Sequence, residues 1–265
     1  MNNLVQKAYF SSEMLKKQAH YHDCHQIILI KRGHIQFSIN GAKYEALDGN
    51  IVIFSRYENH SLTVLSGNYE RYVLQLHPHA GGIPSNIYSL LSNRPDGFRN
   101  AIDVSGSLTE YESLFRQILT ECEKPEKLQD DMLQLLVSRL LILLYRRLPD
   151  TASFETPNAQ MVFAIQRMFE ADCSQPYTLE ELARRYTVSP SSLSHQFKNL
   201  TGASVMGYLL SCRIATAKHL LSSSGDGIAQ IVARCGFSDS SNFSRTFKKL
   251  CGCSPSAFRS QYRHG

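Results

Sequence analysis

The chain of 265 residues is long enough for two domains of ordinary size, and its hydrophobic content of 43% can fill two cores. Residues 157–265 carry 12 Lys and Arg against 6 Asp and Glu, whereas residues 1–156 carry 16 against 17, so the net charge of +5 belongs to the C-terminal part. This composition excludes a disordered or fibrous protein, and the basic C-terminal part is typical of a domain that meets a polyanion.

Short strands with turns between them fill the first part of the chain from about residue 19. Their apolar residues alternate with polar ones or form short runs, and Asn40-Gly41 is typical of a type I′ hairpin turn. Many short strands joined by turns predict a sandwich or a barrel. The predicted strands are Gln26–Ile30, Ile35–Ile39, Ala42–Leu47, Asn50–Phe54 and Tyr69–Leu76.

A series of polar residues and glycines marks these strands. The series is His20-x-His22-xxx-Gln26, Gly33, Asp48-Gly49-Asn50-Ile-Val-Ile-Phe54 and His60. Over about residues 15–80 this order resembles the small cupin barrel, a fold that can enclose a small ligand. The resemblance implies a sensing domain with a pocket at the mouth of the barrel.

The pocket is expected to contain no metal and no cofactor. Metal-binding cupins take two His and a carboxylate from the first motif and one His from the second, whereas here Gln26 stands at the carboxylate position. A neutral amide is a poor ligand for a hard cation, and the charge that would balance the metal is missing. Alternation alone does not separate pocket residues from ordinary core residues. The candidate effector-pocket residues are His20, His22, Gln26, Phe37, Phe54, His60 and Tyr72.

Residues 106–148 change to a helical pattern. Ser107-Leu-Thr-Glu110 is a capping-box motif, and a second helix over about 127–147 has a leucine-rich stripe that is too wide for one packing partner. Such a helix either completes the core of the sensing domain or packs against a second subunit. Residues 149–158 contain two prolines and many polar residues, as expected for a linker.

Helices resume at residue 159. Ser189 can cap a helix that has Pro190 in its first turn and buries Phe197, and a long helix over Ser204–Leu221 follows. The same arrangement recurs in residues 228–259, where a short apolar helix is followed by a turn and a second amphipathic helix. We interpret both segments as helix-turn-helix units.

In the second unit, the turn contains Gly236, and Ser238 or Asp239 can cap the following helix, which buries Phe243 and Phe247. The two units align with an offset of 49 residues before the turn and 50 after it. The second copy therefore has one extra residue at its turn. A single unit of this kind is a weak signal, because any small helical domain has apolar helices joined by a glycine turn, but two aligned units are a specific one.

Residues of about 160–262 resemble the paired helix-turn-helix domain of the AraC/XylS family of bacterial transcription regulators. The matching motifs are Ser189-Pro190-Ser191-Ser192-Leu193-Ser194, Phe197-Lys198, Gly236-Phe237, Asn242-Phe243-Ser244-Arg245, Phe247-Lys248-Lys249 and Ser254-Pro255. The resemblance implies a regulator, commonly an activator, that is controlled by a small-molecule effector. Its expected partners are double-stranded promoter DNA, RNA polymerase and a second copy of the chain. The resemblance also implies a structural role for Arg213 of the long helix, which we interpret as a packing ion pair rather than a DNA contact.

The exposed faces of the two second helices carry the candidate DNA contacts. Arg can pair with guanine and Asn with adenine in a major groove, while Lys lies near phosphates. The candidates for base reading are Ser191, Ser194, His195, Ser240, Ser241, Asn242 and Arg245, and those for phosphate contact are Lys198, Lys248 and Lys249.

The expected fold class is α+β, with four segments along the chain. A cupin-like sensing domain over 1–105 precedes a helical segment over 106–148, to which the resemblance assigns dimerisation. After the linker at 149–158, an all-α DNA-binding domain over 159–265 contains two helix-turn-helix units joined by a long helix.

Two other functions compete with this one. A DNA-binding regulator without a ligand would use its barrel only as a structural element. A cupin metalloenzyme would have to account for Gln26 and for a redundant pair of helix-turn-helix units, so we expect no enzyme.

Seven cysteines form no CxxC pair and are odd in number, which argues against a disulfide framework or a zinc ribbon. The sequence begins without a basic-then-apolar leader, and no apolar run approaches the ~18 residues of a membrane span. We therefore expect a cytoplasmic protein that makes no membrane contact.

Overall fold

The computed structural model describes residues 4–148 and 156–262, except positions 15, 21, 40, 78–86, 88–89, 92–99 and 125. The predicted turn residue Asn40 and most of the predicted linker lie outside the described residues. The chain divides into one compact unit of residues 1–163 with 196–203 and another of residues 164–195 with 204–265. The domain boundaries expected from the sequence remain predictions.

Nine described strands form two antiparallel sheets in the first unit. The strands are β1 (Val5–Ser11), β2 (Lys16–His20), β3 (His25–Arg32), β4 (Ile35–Ile39), β5 (Ala42–Ala46), β6 (Asn50–Phe54), β7 (His60–Val64), β8 (Glu70–Leu76) and β9 (Ala101–Asp103). One sheet has the order β1-β8-β3-β6-β9 and the other has the order β2-β7-β4-β5. All five predicted strands are present, with ends that differ by at most two residues. The sequence patterns missed β1, β2, β7 and β9.

The strands β3, β6 and β8 are buried on both faces, which explains their nearly continuous apolar runs. Ile28, Phe54 and Val73 point into an inner core that they share with Phe37 and Leu62 of the other sheet. The alternate residues of the same strands form an outer core. Each of these strands therefore separates two cores, and the period of two along a strand decides which core a residue joins.

Two helices cover the outer core, namely α1 (Leu108–Glu123) and α2 (Gln129–Tyr145). Tyr111 and Phe115 of α1 and Leu140 and Leu144 of α2 are completely or almost completely buried there. Ser107 stands at the N-cap of α1 as expected, but its side chain makes no capping hydrogen bond. The capping box predicted from the sequence does not form, and the hydroxyl of Ser107 accepts a hydrogen bond from Arg147 instead.

The helix α2 has a second apolar face that the first unit does not cover. Leu128, Met132 and Leu135 are 67%, 46% and 67% exposed, at spacings of four and three residues along the chain. These spacings place the three side chains on one side of the helix, or next to its N-terminus. The wide stripe predicted from the sequence is therefore only partly used by the described core.

Seven further helices follow. They are α3 (Pro157–Ala171), α4 (Leu179–Arg185), α5 (Pro190–Thr201), α6 (Val205–Ser223), α7 (Ile228–Arg234), α8 (Ser240–Cys251) and α9 (Pro255–Tyr262). The helices α4 and α7 begin 49 residues apart, and α5 and α8 begin 50 residues apart. The turn between α4 and α5 has four residues, and the turn between α7 and α8 has five. The repeat and its one-residue insertion are thus confirmed. None of the described helices is long and apolar enough to cross a membrane.

The second unit has a core built from α6, α7 and α8. Phe243 and Phe247 are fully buried in it beside Ile231, Cys235 and Leu221. Burial raises the pKa of the Cys235 thiol to about 12, so this cysteine behaves as a small apolar core residue.

Arg213 of α6 has a structural role in the same unit. Its guanidinium donates hydrogen bonds to the carbonyl oxygens of Cys173 at 2.9 Å and of Gln175 at 2.8 Å. The sequence predicted a packing ion pair at this position. Backbone carbonyls take the place of the expected carboxylate, because the loop after α3 presents them to the arginine.

Candidate nucleic-acid interface and barrel cavity

The helix α8 has the clearest division between a buried and an exposed face. The side chain of Asp239 caps it by accepting a hydrogen bond from the backbone N–H of Asn242 at 2.7 Å. The rings of Phe243 and Phe247 face inward, with centroids 5.6 Å apart. Because 3.6 residues complete each helical turn, the residues between and beside these two phenylalanines lie on the opposite face. All six predicted contacts on this helix are exposed, namely Ser240, Ser241, Asn242, Arg245, Lys248 and Lys249.

The corresponding helix of the first repeat is α5. Ser189 stands before it and accepts a hydrogen bond from the backbone N–H of Ser192 at 3.1 Å. Of the residues predicted to contact DNA on α5, Ser191, His195 and Lys198 are exposed and Ser194 is half-buried. Both second helices therefore present short polar side chains to solvent, and α8 adds a long arginine.

The exposed face of α8 carries three cations. In the part of the chain that the structure describes, Arg245, Lys248 and Lys249 form no ion pair with a carboxylate, whereas Arg234 of α7 is paired with Asp226. Unpaired cations on one side of a helix can neutralise phosphates and release counterions from DNA. This face of α8 combines such cations with side chains able to reach base edges.

Between the two helix-turn-helix units along the chain, α6 spans 19 residues and is capped by Ser204, whose hydroxyl accepts from the N–H of Gly207 at 3.1 Å. At 1.5 Å per residue its length is about 28 Å. The long connecting helix expected from the sequence is therefore confirmed.

The first unit encloses a small cavity between its two sheets. Its volume is about 20 Å³, which is space for a water-sized group. Five of the seven predicted pocket residues line it, namely His20, His22, Gln26, Phe54 and His60. The other lining residues are Tyr9, Ile28, Leu62, Arg71 and Val73.

Three imidazoles meet in this cavity. The antiparallel register pairs His20 of β2 with His60 of β7, and the ring centroids of His20, His22 and His60 lie 4.6 to 5.1 Å apart. The His60 ring stacks on Phe54 at 4.0 Å with an angle of 10° between the planes. Its Nδ1 lies 2.9 Å from the carbonyl oxygen of Glu58, which can only accept. In the neutral ring the proton is therefore on Nδ1, and Nε2 carries the lone pair.

The sequence patterns placed two pocket candidates incorrectly relative to this cavity. Phe37 lies in the inner core, with its ring 5.7 Å from that of Phe54, and does not line the cavity. Tyr72 points to the opposite face of β8, joins the outer core and donates a hydrogen bond to Glu112 at 3.0 Å. The cause is the alternation of β8, which turns Arg71 and Val73 inward and Tyr72 outward. Arg71 was missed, although counting from an inward Val73 would have found it.

The three histidines also satisfy part of what a metal ion requires. Their ligand nitrogens lie within 4.8 Å of one another, and the hydrogen bond from His60 to a backbone carbonyl is a common arrangement for a metal-bound imidazole. Their other neighbours fit a cation poorly, because Gln26 is neutral and Arg71 carries a positive charge in the same cavity. The donor set lacks the negative charge that would balance a divalent ion.

Comparison with known proteins agrees with this architecture. The family described as AraC-like ligand binding domain matches residues 12–150, and the family described as helix-turn-helix domain matches residues 182–261. The chain is 26% identical over 247 residues to the HTH-type transcriptional activator RhaR of Pectobacterium carotovorum, covering 92% of this chain and 86% of that protein. It is 26% identical over 245 residues to the HTH-type transcriptional activator RhaS of an Enterobacter species, covering 91% and 86%.

Among solved structures, ToxT of Vibrio cholerae with a bound unsaturated fatty acid has the same fold. The TM-score is 0.58 at 16% identity, and the match covers 95% of this chain and 93% of that one. The ligand-binding family matches the N-terminal part of the chain and the helix-turn-helix family matches the C-terminal part. This is the order expected from the sequence. The chain belongs to the AraC-like family of DNA-binding transcription regulators.

Proposed function

We propose that this protein is a cytoplasmic transcription activator that binds promoter DNA through α5 and α8 and responds to an effector in the barrel of its first unit. The exposed cationic and polar face of α8, on a helix whose other face is fully buried, is the observation that carries the proposal. The names of the relatives RhaR and RhaS, both activators, support activation over repression. An activator contacts RNA polymerase, which is the further expected partner.

The two second helices would enter successive major grooves on one side of the DNA. Adjacent grooves repeat every ~34 Å, so two helices would cover roughly 17–20 base pairs. Ser191, Ser194 and His195 would read one groove, and Ser240, Ser241, Asn242 and Arg245 the other, while the lysines contact phosphates. Since most of these side chains are short, DNA shape contributes to the choice of site.

A selection of bound sequences from random DNA, using the full chain, tests this function. We expect an enriched site with two short elements about one helical turn apart, or ~10.5 base pairs. Enrichment of a single element would mean that only one helix-turn-helix unit reads bases. Binding that is uniform across sequences and lost with salt would contradict the assignment.

Arg245→Ala is expected to weaken binding to the selected site by about 1–3 kcal/mol and to relax one base position. The reason is that Arg245 is the longest base-reading candidate and has no competing carboxylate. Lys249→Ala is the matched control on the same helix, since loss of a phosphate contact should weaken all sequences equally and lower the salt slope by about 1. Titrations at several salt concentrations measure both effects, and an unchanged base preference in the Arg245 variant would exclude it as a base-reading residue.

We further propose that the exposed apolar face of α2 mediates a homodimer. Leu128, Met132 and Leu135 are large side chains exposed near one another, and a second copy of the same face would bury them. Leu135→Glu should then give a monomer in sedimentation at concentrations where the parent is dimeric. Glu123→Lys, an exposed change at the end of α1, should leave the mass unchanged. A dimer that persists in the Leu135 variant would place the interface elsewhere.

A further inference from the structure

Arg71 is a buried cation without an anionic partner. It lies on β8 with its side chain in the barrel and is 3% exposed. Its Nη1 donates to the hydroxyl of Tyr69 at 3.3 Å, its guanidinium carbon lies 5.4 Å from the centre of the Tyr69 ring, and its Nε has no hydrogen-bond partner. Among the described residues, no carboxylate forms an ion pair with it. Neither a phenol nor an aromatic face neutralises the charge.

A neighbouring cation on the same sheet has the carboxylate partners that Arg71 lacks. Lys31, which is partly exposed, is paired with Glu70 at 2.8 Å and lies 3.7 Å from Glu112. A buried arginine needs a counter-charge more than an exposed lysine does, because burial removes water and the guanidinium does not lose its proton. An uncompensated buried charge destabilises the folded state. In a binding site this loss of stability is offset when the bound ligand supplies the missing negative charge.

We propose that the effector of this barrel is an anion whose carboxylate or phosphate group pairs with Arg71 inside the cavity. This inference rests on the proposed function, since it names the chemical class of the effector. A planar guanidinium can hold a carboxylate or a phosphate with two parallel hydrogen bonds. The unpartnered Nε and the partly used Nη atoms supply these donors.

The rest of the cavity favours an anion as well. No acidic side chain lines it among the described residues, and Gln26 contributes an amide whose N–H groups can donate. In a metal-binding cupin a carboxylate would stand at Gln26, and it would have repelled a second anion. The substitution that argues against a metal therefore leaves the positive charge of Arg71 available to a ligand.

The size of the cavity limits which part of the effector enters it. A volume of about 20 Å³ matches one small group of the effector. Ile28, Leu62 and Val73 line the cavity beside the polar groups. We therefore expect a small organic acid, or the acidic end of a longer molecule whose remaining part extends from the mouth of the barrel.

Thermal unfolding of the full chain with matched probes tests the proposal. The probes are acetate, butyrate, octanoate and inorganic phosphate at constant ionic strength, with acetamide and butyramide as neutral counterparts of the same shape. The anions should raise the midpoint because they bind only the folded barrel, and the amides should not. A larger effect of phosphate than of the carboxylates would identify phosphate as the head group, and the reverse would identify a carboxylate.

Arg71→Gln should bind the most effective probe about ten- to a hundredfold more weakly, as expected for the loss of a hydrogen-bonded charge pair. Because the substitution removes an unpaired buried charge, the variant without ligand should be at least as stable as the parent. If Arg71 had a purely structural role, the variant without ligand would be less stable than the parent. Arg32→Gln is the control, since Arg32 is an exposed arginine on β3 of the same sheet.

Four results would overturn the inference, and three of them concern the probes and the Arg71 variant. They are equal responses to amides and anions, an unchanged response in the Arg71 variant, and no response to any anion. A fourth would be a response that disappears with a chelator and returns with zinc while Arg71→Gln retains it, because the histidines would then hold the ligand through a metal. Selection of a two-element DNA site in the same preparation would leave the proposed function intact in each case, so failure of the two claims can be told apart.

Discussion

Replacing Phe243 by Ala is expected to lower the free energy of unfolding of the second unit by about 3–5 kcal/mol. Phe243 is fully buried, and its ring lies 5.1 Å from that of Phe237 and 5.6 Å from that of Phe247. Truncation removes the buried ring and leaves a cavity between α6, α7 and α8, which a core of aromatic rings fills poorly. A loss of this size is a large part of the stability of a small domain.

Denaturant unfolding followed by far-ultraviolet circular dichroism measures this effect, because the chain contains no Trp to report by fluorescence. Ser241→Ala is the control on the same helix, and its exposed position predicts a change within about 0.5 kcal/mol. DNA binding should fall in the Phe243 variant in proportion to the unfolded fraction. A loss below 1 kcal/mol would mean that the helix is held in place by other contacts.

Gly236→Ala is the second substitution with a large expected effect. Gly236 lies in the turn between α7 and α8 with a φ of +73°, and a Cβ there would lie 2.4 Å from the carbonyl oxygen of Ser174. The left-handed conformation costs an alanine roughly 1 kcal/mol, and displacement of the backbone of Ser174 adds about 1–3 kcal/mol. We expect a total loss of about 2–4 kcal/mol in the free energy of unfolding.

Gly252→Ala separates the two contributions. Gly252 has a φ of +77°, yet a Cβ there would meet no atom within 4 Å, so only the conformational cost applies. The first repeat supports the same distinction, because Thr187 is exposed at the position equivalent to Gly236 with a φ of +56°. Unfolding midpoints of the two glycine variants provide the measurement. Equal losses would show that the approach of Ser174 is unimportant.

Periodicity alone identified most of the secondary structure. The helices of the two repeats were predicted because apolar residues recur at helical spacing and at matching positions in both copies. The strands β4 and β6 were predicted with their exact bounds, since alternation and short apolar runs are local signals. The strand β1 was missed because it precedes the turn signals, and β9 was missed because three residues carry no period.

Local motifs were less reliable where a distant residue competes for the same group. The predicted capping box at Ser107 does not form, and the hydroxyl accepts a hydrogen bond from Arg147, forty residues away along the chain. The prediction of an ion pair for Arg213 failed for a similar reason, since carbonyl groups of a loop reach it first. In both cases the motif indicated the right element and the wrong partner.

The residues that line the barrel pocket could be predicted only in part from the sequence. The order of His20, His22, Gln26 and His60 along the chain indicated a shared site, and the pairing of β2 with β7 brings the three imidazoles together. Tyr72 and Arg71 are adjacent in sequence, and only the face of β8 on which each lies decides that the arginine joins the cavity and the tyrosine the outer core.

The sequence by itself determined the family, the order of the two domains, the repeated helix-turn-helix units and the exposed face of α8, because each depends on spacing within a short segment. Only the tertiary structure decided that β8 separates two cores, that the loop carrying Ser174 requires a glycine at 236, and that Arg71 is buried without a counter-charge. These features arise from contacts between segments distant along the chain, and burial and charge compensation are properties of such contacts rather than of local patterns.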